Sequence, residues 1–387
     1  MENKAGYLSN LTPLRGFAAL LVAVFHFEMA IGRFIPASIS MLIEKSYLMV
    51  DLFFVLSGFI MLHVYGRVFE PGIRRQGLRH FYVARFARTY PLHIFSLLLL
   101  VIVVRYLTNW GDPPIILEQP RDILPNVLLL QSFGVCKIYN WNIPSWSISA
   151  EWGAYLVFPL LAFWIGRRRR LAPVLMGIGV IAAWCCIMWV LPRKNPLNPA
   201  IPVPHNLNTT FDYGWLRGIA GFTAGMVMYI LYANRRMRWI GSDSASAAIV
   251  LAVAAALHFA VNDGIVVVLF AALVVNFALN NGLLHRFCNF RPLQYLGNIS
   301  YSIYLMQIFL QEPFSHGIRL PGVTGNARGR FAIDFWPGLG YCAGYLVLLT
   351  IIASLTYFFL ERPCRRWINV HWGHAPAPAT AGYVKTQ

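Results

Sequence analysis

Ten stretches of this chain, centred near residues 22, 56, 98, 156, 181, 222, 252, 272, 304 and 348, are apolar without interruption. Each runs for roughly 20 residues, the length a helix needs to cross a bilayer. A soluble domain has no place for so many. Apolar residues make up 58% of the sequence and charged residues only 12%, about half the charge of a soluble protein. The runs are continuous rather than alternating, so they read as helices and not as the strands of a membrane barrel. The expected fold is an all-α polytopic membrane protein of about ten transmembrane helices. Asp122 to Phe133 is apolar but too short to span, and is expected to be re-entrant or interfacial.

The formal charge of +17 is spread along the chain, which argues against a nucleic-acid surface. With both termini cytoplasmic, 20 of the 32 Lys and Arg residues fall on the cytoplasmic side, among them Arg74, Arg75, Arg79 and Arg167 to Arg170. That asymmetry obeys the positive-inside rule and fits an even number of helices. Part of the charge also suits anionic lipid. The first apolar run is long, carries an arginine and is followed by many others, so it is not a cleaved signal peptide. Residues 1–370 read as one transmembrane domain and 371–387, rich in Ala and Pro, as a disordered cytoplasmic tail. The six cysteines have no metal-ligand spacing, so no metal is expected. Only Cys136 falls in an outer loop, so no intramolecular disulfide is expected either. No internal repeat is visible, which weighs against transporters built from repeated halves.

Ionisable residues inside a span are costly and by default mark function. Arg15 and His26 lie in the first apolar run with ten residues between them. Eleven residues are about three helical turns, which puts both on one face, roughly 16 Å apart along the axis. A fixed cation near one surface and a titratable base deeper in suit a long ligand, anionic at one end and reactive at the other.

The residues around this pair carry a resemblance. Leu11-Thr12-Pro13-Leu14-Arg15-Gly16 through Phe25-His26-Phe27 is similar to the first helix of the integral-membrane acyltransferase family 3. Further matches follow in order: Val50-Asp51-Leu52-Phe53-Phe54-Val55-Leu56-Ser57-Gly58-Phe59, Arg85-Phe86-Ala87-Arg88 before Tyr90-Pro91, Trp146-Ser147-Ile148-Ser149-Ala150-Glu151, Leu296-Gly297-Asn298-Ile299-Ser300-Tyr301-Ser302-Ile303-Tyr304-Leu305, and Glu361-Arg362-Pro363. Family members O-acetylate O-antigen, peptidoglycan, exopolysaccharides, Nod factors and macrolides. The resemblance therefore implies an acyl-CoA-dependent O-acyltransferase in the bacterial inner membrane. Its donor would be cytosolic acetyl-CoA and its acceptor a carbohydrate hydroxyl on the periplasmic side. Many members carry a histidine two residues after the Ser-Tyr-Ser-Ile-Tyr-Leu stretch. Here that position is Gln307, so a general base there is not expected.

The residue types suit this chemistry. Arg85 and Arg88, one helical turn apart, can grip phosphate together, although paired arginines at a membrane edge also serve as topology anchors. A neutral His26 can take the hydroxyl proton or carry the acyl group itself. Arg15 either holds the phosphate or pantetheine end of the donor or neutralises an acid such as Asp51. Asp51 orients His26 through a hydrogen bond, caps its helix, or pairs with an arginine. Glu151 either caps its helix behind Ser147 or binds the acceptor, and Trp146 is a candidate to stack on sugar. The loop aromatics Trp110, Tyr139 and Trp141 either stack on sugar or anchor at the interface. Arg217, in Leu216-Arg217-Gly218, resembles a family arginine and reads as a pocket residue. A proton-coupled transporter using His26, Asp51 and Glu151 as a relay is the competing class, and a polysaccharide-export partner that binds no acyl-CoA is a third. The oligomeric state stays open.

Overall fold

The computed structural model describes residues 6–108, 120–137, 141–191, 205–234, 237–315, 320–325 and 331–373. Trp110 and Tyr139 lie outside the described residues, as does the tail from 374 onward. The helices are α1 (Leu11–Ala30), α2 (Met49–Phe69), α3 (Arg75–Thr108), α4 (Ile123–Val127), α5 (Trp146–Arg167), α6 (Leu171–Cys185), α7 (Gly214–Ala233), α8 (Asp243–His258), α9 (Asp263–Leu279), α10 (Leu283–Cys288), α11 (Arg291–Asn298), α12 (Ser300–Ser315), α13 (Phe335–Thr356) and α14 (Arg362–Trp372). All ten apolar centres fall on helices. Among the described residues seven helical segments, α1, α2, α3, α5, α6, α7 and the α13–α14 run, are long and apolar enough to cross a membrane. The other three, α8, α9 and α12, are 16, 17 and 16 residues long. One short hairpin, Thr324–Gly325 with Phe331–Ala332, is the only sheet among the described residues.

Lipid supplies no hydrophobic drive between helices, so membrane helices associate by close van der Waals packing through small residues. The tightest pairing here, α2 on α7, follows that rule. A methyl group on Gly58 would run into the Phe222 backbone, and one on Gly225 into the Val55 carbonyl. The α1–α11 crossing is as close, with Gly297 against the Thr12 carbonyl. That contact fixes the start of α1, and so Arg15, against the turn between α11 and α12.

By hydropathy alone the charge-rich stretch from Arg67 to Tyr90 is a long inner loop, yet α3 begins at Arg75 and continues for 34 residues through Pro91. Arginine and alanine are good helix formers whatever their hydropathy, so the run of charge marked a change of solvent and not the end of the helix. An internal proline is tolerated in such helices because neighbouring groups satisfy the freed backbone. The Asp122–Phe133 stretch forms α4 and a set of turns folded onto the bundle. His93 of α3 donates through Nε2 to the Asn126 carbonyl at 2.9 Å, and Ser132 N donates to Ser149 Oγ of α5 at 3.2 Å.

Candidate functional site

Helix ends carrying Arg67, Arg75 and Arg167 gather at one end of the bundle, called here the basic end. A cavity of about 430 Å³ opens there between α1, α2, α3, α5, the α11–α12 turn and α14. Drug-sized ligands occupy pockets of this size. Its walls bring four arginines from three helices together: Arg15, Arg85, Arg88 and Arg365. Arg88 is neutralised by an ion pair with Glu361, whose carboxylate also accepts from Ser302 Oγ at 2.8 Å. A π-helical turn, Tyr357–Glu361, links α13 to α14 and carries Glu361 inward.

Arg15 and Arg85 are different. Neither has an ion pair among the described residues, and the Nε of each is buried with no hydrogen-bond partner. Arg85 lies between two aromatic faces, its guanidinium 5.4 Å from the Tyr65 ring centre and 5.9 Å from that of Tyr155. Such stacking orients the donor fork; Nη2 donates to Tyr65 Oη at 3.4 Å, and Nε is left without a partner. Among the described residues the one carboxylate lining the cavity is Glu151, which accepts from Ser57 Oγ at 2.6 Å. Among those residues it makes no capping hydrogen bond to the start of α5.

Arg217 and Asp51 meet at the opposite end, the far end of the bundle, both with fully buried side chains. The pair is bidentate, Nε to Oδ1 at 3.0 Å and Nη2 to Oδ2 at 2.6 Å. Two of the other three guanidinium hydrogens go to the Thr209 and Tyr47 carbonyls. The Trp146 ring lies 5.2 Å from the guanidinium carbon, so Trp146 is buried against the ion pair. Nearby, Asp263 of α9 accepts from Lys45, from Tyr47 Oη at 2.6 Å and from Leu207 N at 2.7 Å. Of the readings open for Asp51, pairing with an arginine is the one found. Both of its oxygens belong to Arg217 and neither is bonded to His26.

His26 is half-buried on α1 and does not line the cavity. Its Nδ1 lies 3.0 Å from the Val22 carbonyl. A carbonyl only accepts, so Nδ1 carries the hydrogen and the lone pair sits on Nε2. The Gln307 side chain lies beside it. Ser300 and Tyr304, which line the cavity, share a face of α12 with Gln307. His26 therefore lies one α12 turn beyond the cavity's outer end.

The structure thus gathers Arg15, Arg85, Arg88 and Glu151 around one cavity, puts His26 just past it, and places Asp51, Arg217 and Trp146 in a separate buried network. Sequence reasoning passed over Arg365 as a topology charge and gave no role to Ser57, Tyr65, Tyr155 or Tyr301. Ser57 and Tyr301 sit inside the quoted motifs, which was their only signal.

The sequence profile of the acyltransferase domain family matches residues 9–358, which contain all eight predicted site residues. The chain is a multi-pass membrane protein and belongs to that family, the integral-membrane acyltransferase family 3. It is 29% identical to the acyltransferase MdmB of Streptomyces mycarofaciens over 64% of this chain and 62% of that protein. To protein 2 of the picA locus of Rhizobium radiobacter it is 42% identical, over 30% of this chain and 56% of the relative. Against the peptidoglycan O-acetyltransferase OatA of Listeria monocytogenes the identity is 26%, over 49% and 30% respectively. The chain thus spans less than two thirds of the length of each. No solved structure matches it.

Proposed function

We propose that this protein is an inner-membrane O-acyltransferase that moves an acyl group, acetyl first among them, from cytosolic acyl-CoA to a carbohydrate hydroxyl at the periplasmic face. The observation that carries this is the pair of unpartnered buried guanidinium nitrogens, on Arg15 and Arg85, in a cavity at the basic end. Unpartnered buried donors that line a cavity call for an explanation, and an anionic ligand supplies one. The phosphates of a coenzyme A thioester supply the matching acceptors, and an anion there needs no metal.

The basic end faces the cytosol by the positive-inside rule, where acyl-CoA is made. The acyl-pantetheine arm then runs along α1 and α12 toward His26. His26, held by Val22 with its Nε2 lone pair free, removes the proton of a sugar hydroxyl. The hydroxyl oxygen forms a bond to the thioester carbonyl carbon, the carbon–sulfur bond breaks, and the proton passes from Nε2 to the departing thiolate. Glu151, beside the donor cavity, contributes a hydrogen-bond acceptor. The relatives named as O-acetyltransferases support acetyl as the group moved, and the peptidoglycan enzyme among them supports a saccharide acceptor. A proton relay through Asp51, needed for the transport reading, is not favoured because both its oxygens are locked to Arg217.

The test is acyl transfer by protein purified in detergent and given acetyl-CoA and a saccharide acceptor with no ion gradient. Acetylated acceptor and free coenzyme A are the expected products. Absence of both, with the protein folded, would overturn the proposal. Mass spectrometry after acetyl-CoA alone tells direct transfer, with unmodified His26, from an acetyl-His26 carrier.

A further inference from the structure

We infer that Phe53 and Tyr304 set the length of acyl chain this protein transfers, by closing the outer end of the donor cavity just short of His26. The inference rests on the acyl-CoA reading above and deepens it. Both rings line the cavity. They meet edge to face with centroids 6.0 Å apart at 69°, a geometry aromatic pairs prefer. Tyr304 is the last cavity residue on its face of α12 before Gln307 and His26.

Tyr304 is also held in place. Its hydroxyl is 2.8 Å from Ser147 Oγ and 2.9 Å from the Pro144 carbonyl, and only 5% of the residue is exposed. Ser147 is in the first turn of α5 and Pro144 in the turn just before it, so the ring is tied across to a second element and cannot swing away freely. Such a wall sorts ligands by volume. With Tyr304 tied, an acyl group reaches Nε2 of His26 by turning Phe53 aside, and each further methylene demands a larger displacement of the ring pair.

A hydrophobic wall discriminates by roughly 10–200-fold for one methylene, so removing it should shift the preference by at least the lower figure. The measurement is turnover of acetyl-, propionyl-, butyryl- and hexanoyl-CoA by the full chain in detergent, with each donor's affinity measured by calorimetry. Phe53→Ala and Tyr304→Ala are expected to raise butyryl relative to acetyl turnover by about tenfold or more, while the affinities, set at the phosphate end, stay alike. Tyr304→Phe keeps the ring but loses both hydroxyl contacts, and is expected to relax the short-chain preference less than Tyr304→Ala does. Phe53→Leu, a milder change that guards against misfolding of the alanine variants, should shift the profile in the same direction. An acyl-length profile identical in the wild type, Phe53→Ala, Phe53→Leu and Tyr304→Ala would overturn the inference while leaving acyl-CoA as donor. A folded wild type that turns over no acyl-CoA would remove the donor reading itself, and this inference with it.

Discussion

Two regions of this protein bury arginine at membrane depth, and they do so in opposite ways. At the far end Arg217 spends its donors on Asp51 and on two backbone carbonyls, with Trp146 against its face. At the basic end Arg15 and Arg85 keep buried nitrogens with no partner, around a cavity. The first arrangement pairs the charge and holds α2 to α7. The second leaves two charges without a counter-ion among the described residues, which on the proposed function an anion supplies. Sequence ranks all three as intramembrane or near-membrane cations of equal interest, and only the pairing separates structural from ligand-binding arginine.

That contrast breaks most visibly at the far end. Asp51→Ala leaves a fully buried guanidinium without its counter-ion, which typically costs about 3–5 kcal/mol. Thermal unfolding in detergent should show a large loss of stability, and a wild-type unfolding curve would mean the pair is not the clasp described here. At the proposed catalytic base the expected effect is on rate alone. His26→Ala should lower transfer by about 10²–10⁴-fold while the unfolding temperature stays near that of the wild type. In the wild type, turnover should fall as pH drops through the imidazole pKa, because a protonated ring accepts no proton.

At the basic end the sign of the stability effect reverses. Arg85→Ala removes a charge that had no counter-ion, so the fold should tolerate it. Donor affinity should weaken by about 1.5–3 kcal/mol, the usual contribution of a charge-assisted contact. Calorimetry with acetyl-CoA reads the second effect and thermal unfolding the first. The smallest effect belongs to the exposed pair Arg169–Glu70. Arg169→Ala should change stability by no more than about 1 kcal/mol and donor affinity not at all, which makes it the control for charge removal at the same end.

Much of the architecture was legible beforehand because membrane helices announce themselves by local composition. Every apolar centre found a helix, and the eleven-residue step from Arg15 to His26 does run along one helix from the cavity to the residue beyond it. Span length was less legible: α8, α9 and α12 are only 16 or 17 residues long, and charge hid the first turns of α3. The pairings were not legible at all. Asp51 and Arg217 are 166 residues apart in sequence, and Arg88 and Glu361 are 273 apart. Contacts between distant helices leave no trace in periodicity, so three roles stood open for Asp51. Trp146 looked like a sugar platform for the same reason, since nothing in its neighbours foretold the guanidinium it covers.

The central claim is that the unpaired arginines hold the phosphates of a coenzyme A donor. It is tested most directly by calorimetry comparing acetyl-CoA with phosphate-free acetyl-pantetheine, on the wild type and on an Arg15→Ala/Arg85→Ala double variant. The account predicts that the wild type binds acetyl-CoA far more tightly than acetyl-pantetheine, and that the double variant loses this difference. Equal affinity for the two ligands in the wild type, or an undiminished preference for acetyl-CoA in the double variant, would contradict it.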